Sequence, residues 1–208
     1  MIRKIFSTVA VVALLSAAGG VQAGGDPEAG FEKSALCHGC HGEQGQAIAP
    51  NFPNLASQKP GYIVKQITDF QKNLRYNDTM SPMALSIASK EDLYDIAAYF
   101  SSQKPMKAMI PGSDEKLIKK GKEIFEKGNP RTGLYGCINC HGVKGRGKSP
   151  SNQVFPVIGG QNKDYLVAQL QNFRSGDRKN DPAGMMGDIA KRMSDAEIDA
   201  VSEYLSSL

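Results

Sequence analysis

The sequence is short of the side chains that usually build metal sites, because its 208 residues include only four cysteines and three histidines. All four cysteines and all three histidines lie in two pentapeptides, Cys-His-Gly-Cys-His at 37–41 and Cys-Ile-Asn-Cys-His at 137–141. The third histidine, His38, lies inside the first pentapeptide, so no histidine remains elsewhere in the chain. No cysteine is left for a structural disulfide outside the pentapeptides.

Long apolar runs and strand-like patterns are also missing. No stretch after residue 23 approaches the roughly 18 unbroken apolar residues of a membrane span, so we expect a soluble mature chain. The absence of alternating apolar and polar residues predicts a mostly α fold. The net charge is only +4, and basic residues do not interleave with aromatic ones, which excludes a nucleic-acid-binding protein.

Each pentapeptide has the Cys-x-x-Cys-His spacing of a covalent haem c attachment site. Two thiols three positions apart can add to the two vinyl groups of one haem, and the next histidine then faces the iron. The alternatives are a zinc site, a thioredoxin-like redox pair or a structural disulfide. Zinc is disfavoured because Cys40 and Cys137 lie far apart in the chain, and a thioredoxin-like pair needs a βαβ pattern that is missing.

The sequence therefore predicts two covalently bound haem c groups, one per pentapeptide. The expected thioether positions are Cys37, Cys40, Cys137 and Cys140, and the expected histidine ligands of the irons are His41 and His141.

Residues 1–23 have the features of a secretory signal peptide. Arg3 and Lys4 form the charged start, residues 9–15 form the apolar middle, and small residues precede a cleavage site after Ala23. An uncleaved membrane anchor is the alternative, but the apolar run is short for a span of about 20 residues. Export agrees with thioether attachment of haem, which occurs outside the cytoplasm, and predicts a periplasmic location.

The second half of the chain repeats the first at an offset of 103 positions. Phe52-Pro53 recurs as Phe155-Pro156. Eight more residues recur, namely Gln58, Tyr62, Val64, Gln66, Phe70, Arg75, Asn77 and Asp78 as Gln161, Tyr165, Val167, Gln169, Phe173, Arg178, Asn180 and Asp181. This internal duplication predicts two tandem domains with one haem each, at 24–105 and 114–208, joined by a linker at 106–113 within a stretch that contains proline and glycine.

Apolar spacing predicts the helices of each half. In the first half we expect helices at 26–36 and 62–75, with Leu74 on the buried face of the second, and a last helix that starts at Ser89. In the second half we expect a helix at 116–127 and a last helix with a capping box at Ser194. The last helices should bury Leu93, Ile96, Ala97 and Phe100, and Ile198, Val201, Tyr204 and Leu205.

The sixth ligand of each iron is expected to be a methionine, because no histidine is available. Each half has a methionine-containing loop before its last helix. Met80 precedes Ser89 by nine residues and Met186 precedes Ser194 by eight, which favours these two, with Met83 and Met185 as alternates. His38 sits in a Cys-x-x-Cys spacer on the wrong side of the haem, and we expect it to face solvent or a haem propionate.

With these motifs the chain resembles the class I cytochromes c and, among them, the two-domain, di-haem cytochrome c4 family. The resemblance implies two small helical domains related by a pseudo-twofold axis. It also implies that the carbonyls of Pro53 and Pro156 accept a hydrogen bond from Nδ1 of His41 and His141. The Met80 loop departs from its counterpart by one extra residue, so Met83 stays open as the ligand.

Proteins of this family are periplasmic electron carriers, often delivering electrons to terminal oxidases. The expectation is therefore a one-electron carrier and not an enzyme, with redox proteins as partners, such as a quinol-oxidising donor and a terminal oxidase as acceptor. Peripheral membrane association stays open. The alternatives are a cytochrome subunit of a flavoprotein sulfide dehydrogenase, or a di-haem enzyme of the thiosulfate-oxidising or peroxidase type. The basic loop at 144–148 is a candidate docking face for an acidic partner.

Overall fold

The computed structural model describes residues 24–208, so the signal peptide expected at 1–23 lies outside the described residues. Within 24–208 the chain forms ten α-helices, and the one β feature there is an isolated bridge between Asn129 and Leu134. The mostly α prediction is confirmed. Among the helices of this part of the chain, none is long and apolar enough to cross a membrane.

The two halves contain five α-helices each. Those of the first half are α1 (Pro27–Lys33), α2 (Ala35–His41), α3 (Pro60–Gln71), α4 (Met80–Leu85) and α5 (Lys90–Ser102). Those of the second half are α6 (Glu115–Lys127), α7 (Ile138–His141), α8 (Lys163–Ser175), α9 (Met185–Lys191) and α10 (Asp195–Ser206). The order of elements is the same in both halves, except that α1 and α2 nearly adjoin.

In each half the first and last helices cross at a glycine. Gly30 of α1 lies so close to α5 that an added Cβ would be 2.0 Å from the carbonyl oxygen of Asp95. Gly121 of α6 meets α10 in the same way, with an added Cβ 1.9 Å from the carbonyl oxygen of Ala200. No side chain fits at either point. The first helix therefore packs on the last helix in the same way in both halves.

The apolar faces expected on the last helices lie in the cores of the two halves, and all eight of those side chains are buried. Phe100 is completely buried in the first half. In the second half Phe125 is completely buried, and its ring centroid lies 5.5 Å from that of Tyr204. The expectation for Leu74 was wrong: its side chain is 58% exposed because α3 ends at Gln71.

The capping residues expected at the two last helices are present. The Ser89 hydroxyl accepts a hydrogen bond from the backbone N–H of Asp92 at 3.0 Å. At the start of α10 the full capping box forms, because Ser194 accepts from the Glu197 backbone N–H and the Glu197 carboxylate accepts from the Ser194 N–H. These three bonds satisfy N–H groups that have no partner inside the helix.

The single helix expected at 26–36 is divided at Ser34, so that prediction was wrong. Ser34 is completely buried, and its hydroxyl donates to the carbonyl of Phe31 at 2.9 Å. This bond satisfies a carbonyl at the end of α1. The bend lets α2 start at Ala35 and carry the first pentapeptide on a helix of its own.

The methionine-containing loops expected in both halves are short helices instead, α4 and α9. Pro82 is the third residue of α4, within the first turn, where a backbone N–H has no partner inside the helix. The Asn77 side chain caps this turn by accepting from the N–H groups of Thr79 and Met80, at 3.1 and 2.9 Å. A proline at this point is therefore compatible with a helix, which the sequence reading overlooked.

The two halves pack against each other around the segment expected to be a linker. Met106 is completely buried and forms an apolar cluster with Ala56 of the first half and Val157 of the second. The stretch between α5 and α6 contains no helix in this described part of the chain. Met106 and Ala108 are its buried residues, while Met109 and Ile110 are 53% and 66% exposed, and the domain boundaries drawn from the sequence stay a prediction.

Candidate functional site

Both pentapeptides lie at the ends of short helices. Cys37, Cys40 and His41 lie on α2, while Cys137 precedes α7 and His141 ends it. Residues three apart share one face of a helix, so the two thiols of each pair are presented to the same side. All four cysteines are free thiols and are half-buried. The thiols are therefore placed as thioether attachment requires, and no disulfide competes for them.

The histidine of each pentapeptide is buried and held by a proline carbonyl. His41 Nδ1 donates to the carbonyl of Pro53 at 2.8 Å, and His141 Nδ1 donates to that of Pro156 at 3.0 Å. These are the two bonds that the family resemblance implied. Because a carbonyl can only accept, Nδ1 carries the proton and Nε2 keeps its lone pair, and within 24–208 no protein group bonds to Nε2.

Burial also keeps the two imidazoles neutral. It lowers the pKa of His41, against the opposing effect of the hydrogen bond to Pro53. The pKa of His141 is lowered in the same way by burial and opposed by Pro156. A neutral ring with a proton on Nδ1 is the form that binds a metal through Nε2.

An aromatic ring packs beside each histidine, which explains the repeated Phe-Pro dipeptide. The Phe52 ring centroid lies 6.4 Å from that of His41, with an angle of 59° between the planes. Phe155 lies 6.3 Å from His141 at 58°. The phenylalanine limits rotation of the imidazole while the next residue, a proline, supplies the carbonyl that orients it.

The zinc alternative finds no support in the described residues. Within 24–208 no three histidine, cysteine, aspartate or glutamate side chains converge to hold a metal ion directly. Burial raises the pKa of the Cys137 thiol to about 11, and it also raises that of Cys37. In the absence of a bound group these two thiols are therefore protonated at neutral pH.

The candidate methionines occupy matching positions on α4 and α9, which pack on α3 and α8. The Met80 N–H donates to Asn77 at 2.9 Å, and the Met186 N–H donates to Asp181 at 2.7 Å. Each methionine is half-buried and lies four residues before a completely buried alanine, Ala84 or Ala190.

The alternates are placed differently. The Met185 side chain is 37% exposed, and Met83 is half-buried without the backbone cap that Met80 receives. The local geometry favours Met80 and Met186 as equivalents, and their ligand role stays a prediction.

His38, expected to face solvent or a haem propionate, is half-buried and makes contacts within the first half. The Ser34 hydroxyl gives its proton to Phe31, and it therefore accepts from His38 Nε2, which lies 2.8 Å away. The His38 ring centroid lies 5.5 Å from Phe31 and 6.0 Å from Tyr99. This histidine fastens α2 to α1 and α5 and is not available to an iron.

Sequence reasoning missed what the repeated polar residues do. Tyr62, Gln66 and Arg75 of the first half meet Tyr165, Gln169 and Arg178 of the second at the interface. Arg75 donates to the Tyr165 hydroxyl at 3.2 Å, and Arg178 donates to the Tyr62 hydroxyl at 3.0 Å. The repeat itself contained a signal for this interface, because these positions keep the same polar residue in both halves. Packing within one half requires only apolar residues, so it does not explain the repeated polar ones.

Comparison with known proteins agrees with the geometry. A family model described as "Cytochrome c" matches residues 118–208, and one described as "Cytochrome C oxidase, cbb3-type, subunit III" matches residues 23–100. Cytochrome c4 of Thiocapsa roseopersicina is 45% identical and aligns over 88% of this chain and 93% of its own length. A thiosulfate dehydrogenase electron acceptor of Stutzerimonas stutzeri is 36% identical over 90% of this chain and 83% of its own length.

A solved structure gives the same answer. The crystal structure of reduced recombinant cytochrome c4 from Pseudomonas stutzeri superposes with a TM-score of 0.80 at 38% identity, over 88% of this chain and 99% of that one. Its similarity extends across both halves, and the pentapeptides of this chain supply an attachment site in each. The chain belongs to the cytochrome c4 family of electron-transfer proteins, with two tandem cytochrome c domains that each carry a covalently bound haem c.

Proposed function

We propose that this protein is a periplasmic one-electron carrier between respiratory partners, whose irons are ligated by His41 with Met80 and by His141 with Met186. The observation that carries the proposal is the duplication of one ligand arrangement. In both halves a buried imidazole is fixed through Nδ1, and a methionine sits on a capped helix turn.

A haem bound at such a site supplies reversible one-electron exchange at its iron, and a methionine ligand raises its reduction potential. The protein residues keep that exchange fast by moving little. The cysteines anchor the group at two points, the proline carbonyls fix the imidazoles, and the Gly30 and Gly121 crossings lock the surrounding helices. In a carrier each iron keeps both of its ligands, the histidine and the methionine, in both redox states. This property distinguishes a carrier from an enzyme.

Export is the second part of the proposal. Its basis is the pattern at residues 1–23, together with the need for thioether attachment outside the cytoplasm. We expect N-terminal sequencing of the mature protein to begin at Gly24 and cell fractionation to place it in the periplasm. A mature chain that begins at Met1 and sediments with membranes would instead indicate an anchor.

The partner surface is the third part. Just after α7 the chain exposes three basic residues, Lys144, Arg146 and Lys148, next to a 70% exposed Val143. An exposed apolar side chain followed in the chain by three exposed cations suits docking of an acidic protein, because the charges increase the rate of encounter. The donor would be a quinol-oxidising complex and the acceptor a terminal oxidase.

A second donor is favoured by the similarity to thiosulfate dehydrogenase electron acceptors. In that case the protein would receive electrons from a thiosulfate dehydrogenase while still acting as a carrier. The two donors are compared by the rate at which each reduces the oxidised protein: a quinol-oxidising complex with quinol, or a thiosulfate dehydrogenase with thiosulfate.

The carrier function is tested by adding the reduced protein to bacterial membranes that contain a terminal oxidase. We expect cyanide-sensitive oxygen uptake coupled to oxidation of both haems, followed optically. The isolated protein should consume neither hydrogen peroxide nor thiosulfate. Turnover of either substrate by the protein alone would show that it is an enzyme and would refute the carrier proposal.

A further inference from the structure

Two glutamines at repeated positions cross the interface and bind the backbone of the opposite half. Gln161 Oε1 accepts from the Asn54 N–H at 2.8 Å, and its Nε2 donates to the Asn54 carbonyl at 3.0 Å. Gln58 does the same to Val157, accepting from its N–H at 2.9 Å and donating to its carbonyl at 2.8 Å. Both glutamine residues are at most 5% exposed.

The peptides that these glutamines bind are the ones that hold the histidines. The Asn54 N–H and the Pro53 carbonyl belong to one peptide unit, and that carbonyl accepts from His41 Nδ1. In the other half the corresponding peptide joins Pro156 to Val157 and holds His141. Each peptide therefore stands between a histidine of its own half and a glutamine of the opposite half.

A hydrogen bond to the N–H of a peptide increases the negative charge on its carbonyl oxygen, because bonds in a chain polarise one another. A stronger acceptor at Nδ1 makes the imidazole a better donor to a metal bound at Nε2. A better electron donor stabilises ferric iron more than ferrous iron and so lowers the reduction potential. The effect is largest away from water, and the completely buried Met106 and Ala56 exclude water beside these bonds.

The glutamine oxygens are themselves fixed. Gln161 Oε1 also accepts from the N–H of Asn162 at 2.9 Å, and Gln58 Oε1 also accepts from the N–H of Lys59 at 3.0 Å. Two N–H groups thus converge on each oxygen, one from the glutamine's own half and one from the opposite half. The acceptors cannot rotate away without losing both bonds.

We infer that Gln161 and Gln58 are positioning residues that the two halves exchange, each lowering the reduction potential of the haem in the opposite half through the proline peptide and its histidine. The inference rests on the proposed ligation by His41 and His141. It makes the contact between the halves a part of each iron's ligand system, so that separating the halves raises both potentials.

The test is a redox titration of the haem-loaded variants Gln161→Leu and Gln58→Leu, with the two haems resolved and assigned. We expect Gln161→Leu to raise the potential of the haem at Cys37 and Cys40 and to leave the other haem unchanged. Gln58→Leu should raise the potential of the haem in the second half alone. A shift confined to the haem of the mutated residue's own half, or no shift, would overturn the inference.

A second readout follows the hydrogen bond itself. In the diamagnetic reduced protein, the Nδ1 proton resonance of His41 should move upfield in Gln161→Leu, while that of His141 should stay in place. The matched control is Gln153→Leu, because Gln153 accepts from the Gly61 N–H at 3.0 Å across the same interface but touches neither proline peptide. The control should change neither potential and neither Nδ1 resonance, and an equal shift in the control would assign the effect to the interface in general.

The variant Gln161→Glu covers the case in which the leucine variant does not fold. Its carboxylate keeps an acceptor for the Asn54 N–H, so the His41 Nδ1 resonance should lie at the wild-type position or downfield. An upfield shift would overturn the inference. Wild-type histidine resonances without the ring-current shifts of a haem ligand would refute the proposed ligation as well, which separates that outcome from a failure seen only in the variants.

Discussion

Replacing Gly121 by alanine tests the helix crossing that holds the second half together. The new Cβ would lie 1.9 Å from the Ala200 carbonyl oxygen and 2.8 Å from Tyr204 Cβ, whereas ordinary contact begins at 3.4 Å. The obstacle is backbone and cannot rotate away. The axes of α6 and α10 would therefore have to move apart by about 1.5 Å, which would loosen the contact between Phe125 and Tyr204.

The cost follows from two opposing effects. Overpacking against a fixed backbone destabilises by about 3 kcal/mol, while alanine is better than glycine inside a helix by about 1 kcal/mol. The net loss in the free energy of unfolding is then about 2 kcal/mol. For a domain of this size it corresponds to a decrease of about 8–16 °C in the unfolding temperature.

Thermal unfolding of the haem-loaded protein, followed by far-ultraviolet circular dichroism, measures this loss. The control is Gly187→Ala in α9, where the nearest atom to an added Cβ is 3.8 Å away. That variant should unfold at or slightly above the wild-type temperature, because only helix propensity changes. If Gly121→Ala unfolds at or above the wild-type temperature, the close approach of α6 and α10 is wrong.

Three further predictions concern charge and capping. The hydrogen bond from Lys33 holds the pKa of Asp95 below its usual range. The stabilisation that the ionised Asp95 gives is therefore complete above about pH 4 and is lost as the pH falls through the lowered pKa. Acid unfolding of Asp95→Asn should depend less steeply on pH in that range. Ser194→Ala removes the capping box of α10 and should cost about 1 kcal/mol in chemical denaturation. Neutralising the basic loop at Lys144, Arg146 and Lys148 should lower the association rate with an acidic partner most at low salt. The control neutralises three exposed lysines of α6, Lys116, Lys119 and Lys122, and should not have this effect.

The haem attachment sites and the helical class could be predicted because they depend on local sequence. Covalent attachment fixes the spacing of Cys37, Cys40 and His41, and apolar periodicity identifies a buried helix face without any knowledge of its partner. The capping box at Ser194 was equally visible, because all its bonds form within four residues.

Features that depend on contacts far apart in the chain could not be predicted. His38 was expected to face solvent or a haem propionate, since the sequence does not show its contacts with Ser34 and Tyr99. The helix α4 was expected to be a loop, although Pro82 lies in its first turn, where a proline is compatible with a helix. The bonds of Gln58 and Gln161 across the interface could be found only once the arrangement of the two halves was known. The repeat showed only that the two glutamines occupy matching positions.

The central claim is that both irons keep a histidine and a methionine, and carbon monoxide binding to the reduced protein tests it most directly. The measurement is combined with optical detection of sulfur ligation in the oxidised protein, for the wild type and for Met80→His and Met186→His. We predict that neither wild-type haem binds carbon monoxide, and that each variant loses the sulfur signal of one haem and lowers its potential. Carbon monoxide binding to either wild-type haem, or unchanged sulfur signals in both variants, would contradict the account.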